Sequence, residues 1–145
     1  MDPAQQALAS AALYTDEVNY ALIHLPAPAI TAAAGVLAEI GEPFSALVVD
    51  KDEVTLVLPE EDWQGFKARL PDYRAAGPFR LITFDLPLAL DLVGFLALVS
   101  RALADASVTV LAFSAFERDH LLVPASQLEQ AVAALREAQA RAAQP

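Results

Sequence analysis

Apolar and polar positions along this chain predict the same short series of elements twice. In the first half, residues 19–25 (NYALIHL) read as a strand that ends at Pro26 and Pro28, because proline has no N–H to give to a ladder. Residues 29–40 place Ile30, Ala33, Leu37 and Ile40 on one helical face, with Gly41 as the expected stop. Two apolar runs follow, 44–49 and 53–58, separated by Asp50-Lys51-Asp52, which predicts a hairpin turn. The acids of Pro59-Glu60-Glu61-Asp62 suit the first turn of a helix through Trp63 and Phe66.

The second half repeats that order. Residues 79–85 (FRLITFD) predict a strand, and Asp91 stands where the N-cap of a helix carrying Leu92, Phe95, Leu96, Val99 and Leu103 belongs. Residues 108–115 and 120–123 predict a second hairpin. Ser126 and Glu129 then form a capping-box pattern ahead of a stripe of Leu128, Ala131, Val132 and Leu135. The two hairpins align at a constant shift: Glu53-Val54-Thr55-Leu56-Val57 matches Asp119-His120-Leu121-Leu122-Val123, an acid followed by an apolar ladder. Two βαββ(α) units, each too small to bury much core alone, predict an α+β architecture with an antiparallel sheet and helices on one face. The expected boundaries are an N-terminal extension over 1–17, a loose helix or frayed arm, a first module over 18–70 and a linker over 71–78. A second module then spans 79–140, and 141–145 form a fraying tail.

Composition narrows the partners. Hydrophobic residues make up 56% of the 145, and mean hydropathy is +0.40. Much of that is alanine, which favours compact helices, and the strand-forming surplus hints at a covered partner surface. The most apolar run, 86–100, contains Pro87 and Asp91 and falls short of the ~20 residues a spanning helix needs. MDPAQQ lacks the basic start of a secretory signal, so a cytoplasmic, non-membrane protein is expected. Without cysteine there are no disulfides, thiolate zinc sites or cysteine nucleophiles. A net charge of −10 with only nine Lys and Arg makes nucleic acid an unexpected partner.

Two segments of the second half carry a family pattern. One is Phe84-Asp85 with Val93-Gly94-Phe95-Leu96-Ala97 and Leu103-Ala104. The other is Ser114-Ala115-Phe116-Glu117-Arg118-Asp119-His120-Leu121-Leu122-Val123. Together they resemble the ACT domain family. The first half resembles a degenerate repeat of it through Phe44-Ser45 and Glu53 to Val57, with departures at Val48 and Asp50. The resemblance covers roughly residues 18–140 and implies two tandem ferredoxin-like ACT modules, as in the regulatory tails of aspartate kinases and in cytosolic arginine sensors. It also implies a non-catalytic sensor that holds an amino-acid-like effector between modules, associates as a homodimer, and reports to a partner enzyme or regulator.

An amino acid asks for specific chemistry. Its carboxylate suits the N–H groups of a helix start, and its ammonium suits a carboxylate. The candidate ligand-binding residues are therefore Leu92, Val93, Gly94, Ser114 and Asp119. Glu53 from the first half is expected to close the site, with His120 as an added donor. Each also has a plainer reading: Ser114 and Asp119 as turn formers, Gly94 as a packing glycine, Glu53 as a solvated acid. No metal or cofactor is expected, since His24 and His120 lack a clustered third ligand and no glycine-rich phosphate loop occurs. Ser114 has no GxSxG context, so no enzyme is expected. The competing reading is a structural or oligomerisation module whose pocket is lost or filled.

Overall fold

A computed structural model describes residues 2–41 and 43–145. In chain order the elements are α1 (Pro3–Ser10), β1 (Ala12–Thr15), β2 (Tyr20–Pro26), α2 (Ile30–Ala38), β3 (Ala46–Val49), β4 (Glu53–Pro59), α3 (Glu60–Phe66), β5 (Arg74–Asp85), α4 (Phe95–Asp105), β6 (Leu111–Ser114), β7 (Asp119–Pro124) and α5 (Leu128–Ala142). The class is α+β with antiparallel strands. Two compact units divide it, one of Val18–Phe79 and one of the segment up to Glu17 with Arg80–Pro145, so that β5 contributes to both.

In the Val18–Phe79 unit the strand order is β3-β4-β2-β5, with Ile23 opposite Leu56 and Ala75. Alternate residues Ile23 and Leu25, and Val54, Leu56 and Leu58, point to one face, where α2 and Trp63 of α3 cover them. The predicted hairpin turn is present: Asp50 Oδ1 accepts the N–H of Asp52 at 2.8 Å and of Glu53 at 2.9 Å. The stripe on α2 differs from the expected one. Ala33 and Val36 are fully buried, whereas Ile30 stays 42% exposed. A 3-10 turn over Ala27–Ala29 buries Ala29 first and so resets the helical phase. The helix also ends at Ala38, ahead of Gly41.

The expected linker over 71–78 is corrected in part, because β5 begins at Arg74. A strand tolerates Gly77-Pro78 here because the pairing with β2 shifts register between Tyr20 and Leu22, leaving the proline, which has no N–H, at an irregularity. Gly77 has φ +136°, and a Cβ there would come within 2.9 Å of the Tyr20 carbonyl oxygen. No other residue fits that position.

The second unit has the order β1-β5-β7-β6. Its N-terminal segment is no frayed arm. The Asp2 carboxylate caps α1 by accepting the Gln5 N–H at 3.3 Å, with Pro3 at the first helical position. Ala4 and Leu8 are buried against the core that α4 and α5 share, and β1 pairs β5 from Ala12 opposite Asp85 to Thr15 opposite Ile82. The last helix reaches into the expected tail over 141–145. Helix α5 runs to Ala142, and the Gln139 amide donates to the carbonyls of Leu8 at 2.9 Å and Ala11 at 2.7 Å. The Ser126–Glu129 capping box does not form, since a 3-10 turn over Ala125–Gln127 precedes α5. Gln127 reaches back to the Ser107 carbonyl at 3.2 Å instead. The core of this unit gathers Ile82, Phe84, Phe95, Leu103, Leu121, Val123 and Leu135, with the rings of Phe84 and Phe95 perpendicular at 5.0 Å.

Candidate functional site

The helix that opens the second unit's crossover starts later than its sequence suggests, and that delay makes the site. Asp91 lies in a turn and does not cap α4. The N-cap is Gly94, at φ +95° and ψ −2°, with no side-chain hydrogen bond and no acid in the first turn. A Cβ on Gly94 would meet nothing closer than the Ala4 Cβ at 3.8 Å, so conformation rather than space requires glycine here. The first intrahelical bond runs from the Leu98 N–H to the Gly94 carbonyl at 3.1 Å. The N–H groups of Phe95, Leu96 and Ala97 thus precede the intrahelical ladder, at the positive end of the helix dipole.

Facing that helix start is the β6–β7 turn. Ser114 and Asp119 are directly opposite in register, and the Ser114 hydroxyl donates to Asp119 Oδ1 at 2.6 Å. The Ala115 N–H closes the turn on the Arg118 carbonyl at 2.8 Å. A second bond, from the Leu88 N–H to the Glu117 carbonyl at 2.6 Å, ties the 86–94 loop to the turn. Arg118 is engaged with Asp85 at 3.2 Å and lies 3.8 Å from Glu117. Loop, helix start and turn enclose a groove of about 330 Å³. It places unbonded N–H donors and the Asp119 carboxylate in one small space.

Of the residues singled out in the sequence, Leu92, Gly94, Ser114 and Asp119 line this groove. Val93 does not; it is 84% exposed. His120 does not either, which corrects its expected place beside Asp119. Side chains alternate along a strand, so Asp119 and Leu121 share the helix-covered face while His120 turns to the other, where its Nδ1 lies 2.8 Å from the Thr83 hydroxyl. Glu53 belongs to the other unit, where it opens β4 and donates its N–H to Asp50. The sequence reading missed Leu88, Leu90 and the turn residues Phe116 and Arg118 as lining groups. Phe116 carried a signal, an aromatic residue at a hairpin tip with no core to fill.

Burial pushes the His120 imidazole below its ordinary pKa of 6.5, against the Asp119 charge, which raises it, and with Arg118, which lowers it further. The folded state therefore favours neutral His120, and the unfolded chain binds more protons between the lowered value and 6.5. Stability from this residue is complete above pH 6.5 and declines as pH falls through that window. Urea unfolding between pH 7.5 and 5 is expected to show a steeper loss for the wild type than for His120→Asn. Among the described residues no group of three His, Cys, Asp or Glu is placed to hold a metal ion, and no helix is long and apolar enough to cross a membrane.

Residues 75–137 match the model of the ACT domain family. A comparison with curated protein sequences finds no match. Among solved structures, a protein from Agobacterium tumefaciens is similar at 28% identity, over 88% of this chain and 87% of that one, with a TM-score of 0.69. A Vibrio cholerae protein of unknown function, called a possible transport protein, follows at 23% identity over 91% and 93%, with a TM-score of 0.67. The regulatory subunit of aspartate kinase from Thermus flavus shares the fold at 16% identity, over 87% and 95%, with a TM-score of 0.63. The chain thus shares the fold of these three structures, and residues 75–137 are similar to the ACT domain family.

Proposed function

We propose that the groove is an effector site and that the chain is a non-catalytic regulatory protein binding an amino acid or similar small zwitterion. The single observation that carries this is the pairing, across about 330 Å³, of an uncapped helix start with the Asp119 carboxylate. The ligand carboxylate accepts from the Phe95–Ala97 N–H groups, and its ammonium is held by the Asp119 oxygen that Ser114 leaves free. The Ser114 hydroxyl meets a carboxylate, but among the described residues no histidine or lysine lines the groove to take its proton. The likeness to regulatory subunits of aspartate kinase supports regulation over catalysis.

Both units run strand, helix, hairpin, helix, which supports reading them as tandem ACT modules, the first degenerate. In that first unit the turn carboxylate, Asp50, is spent on two backbone N–H groups, so one effector per chain is expected. A second copy of the chain would complete the open groove as a homodimer. The effector then acts by its differential affinity for that paired state, which a partner enzyme or regulator reads. One observation favours the structural alternative: the Ser114–Asp119 bond already satisfies part of the turn. A thermal-shift screen against the standard amino acids separates the two. A ligand at 100 times its Kd stabilises by about 2.7 kcal/mol, a clear rise in melting temperature. No rise with any of them overturns the effector reading.

A further inference from the structure

The mouth of the groove is apolar where a surface is usually polar. Leu90, Val93 and Phe116 are 74%, 84% and 75% exposed, more than any other large hydrophobic residue described. All three cluster here: Leu90 and Phe116 line the groove, and Val93 adjoins Leu92 and Gly94, which also line it. They sit on two separate segments, the 86–94 loop and the β6–β7 turn, which the Leu88–Glu117 backbone bond holds together. Scattered apolar residues on a surface need no explanation, but a cluster rimming a cavity marks something that covers it.

Charges around the groove narrow what that is. Arg118 is its one lining cation, and Asp85 and Glu117 already engage it. An acidic ligand side chain therefore meets a cation whose charge two carboxylates already balance. A basic one would have to compete with Arg118 for the same carboxylates. A charged group set against Leu90 and Phe116 would lose water without a compensating bond. The polar groups that remain, the α4 N–H donors and Asp119, are matched by a ligand's own carboxylate and ammonium.

We infer that the effector is an amino acid with a branched or aromatic apolar side chain, which lies against Leu90, Leu96 and Phe116 while its zwitterionic end occupies the helix start and Asp119. This rests on the effector reading given above and adds the ligand's class to it. Burying such a side chain favours leucine, isoleucine or phenylalanine over glycine by about tenfold or more in Kd.

Isothermal titration of the full chain with leucine, phenylalanine, glycine, lysine and glutamate tests it, alongside Leu90→Ala and Phe116→Ala. Both substituted positions are exposed, so the fold survives. Leucine or phenylalanine is expected to bind tightest, and each variant to weaken that ligand about three- to tenfold, the scale of a partly buried side chain, with glycine affinity unchanged. Preference for lysine or glutamate, or equal loss for every ligand in the variants, overturns the side-chain assignment while leaving the effector site standing. Binding of none of the five by the wild type overturns both. If the variants change only the oligomeric state on size-exclusion chromatography, with ligand preference intact, the rim is a self-association surface and the inference fails.

Discussion

Replacing Asp119 with alanine is expected to weaken effector binding by roughly 10–100-fold, because a charge-assisted bond to a ligand ammonium contributes about 1.5–3 kcal/mol. The cost to the free protein is small by comparison. Only one bond is lost, from the exposed Ser114 hydroxyl at 2.6 Å, and such a bond contributes about 0.5–1.5 kcal/mol net. Asp50→Ala is the matched control. That carboxylate holds two backbone N–H groups of its own turn, so its loss should lower the melting temperature and leave ligand affinity untouched. Should Asp119→Ala behave like Asp50→Ala, with stability falling and affinity constant, Asp119 is a turn residue and nothing more.

Leu8→Ala is expected to destabilise the protein by about 2–5 kcal/mol, the range for a leucine removed from a filled core. Leu8 is only 2% exposed and sits in the cluster with Phe95, Leu103 and Leu135, while α1 is tied to α5 through Gln139. Urea denaturation of the variant measures this directly. A loss below about 0.5 kcal/mol, the level of an ordinary surface substitution, would mean that α1 detaches in solution. The effect also reaches the site, because the Ala4 side chain of α1 lies 3.8 Å from where a Cβ would stand on Gly94 at the start of α4.

Elements with a strong period were legible in the sequence. Residues 53–58 pair back on 46–49 and residues 120–123 on 111–113, as the two hairpins read, and Asp50 makes the turn its position suggested. What escaped notice depended on contacts made far along the chain. Residues 1–17 look polar and alanine-rich, yet α1 is held by α5 more than a hundred residues away, a pairing no local pattern reveals. Residues 74–78 looked like a linker because glycine and proline break local patterns, and only the register shift opposite Tyr20 makes them strand. Caps were the weakest point. Asp91 stands three residues ahead of the N-cap that forms, Gly94, and Ser126 one residue ahead of Gln127, each within a turn that precedes its helix.

In the groove, four of the seven residues chosen from the sequence come together because strand and helix periods fix which way they point. His120 was misplaced by a single step along β7, which in a strand means the opposite face. Val93, taken as part of the same helix start, is 84% exposed and does not line the groove. Glu53 matches Asp119 in opening its strand, β4 as Asp119 opens β7, but it lies in the Val18–Phe79 unit and does not line this groove.

Amide chemical-shift mapping of the 15N-labelled protein, titrated with leucine and with phenylalanine, tests the effector site most directly. Saturable shifts are predicted at the Phe95, Leu96 and Ala97 amides and at Ser114 and Asp119, with Asp50 and Glu53 unmoved. Shifts confined to the Thr83–His120 face, or no saturable shift with any standard amino acid, would contradict it.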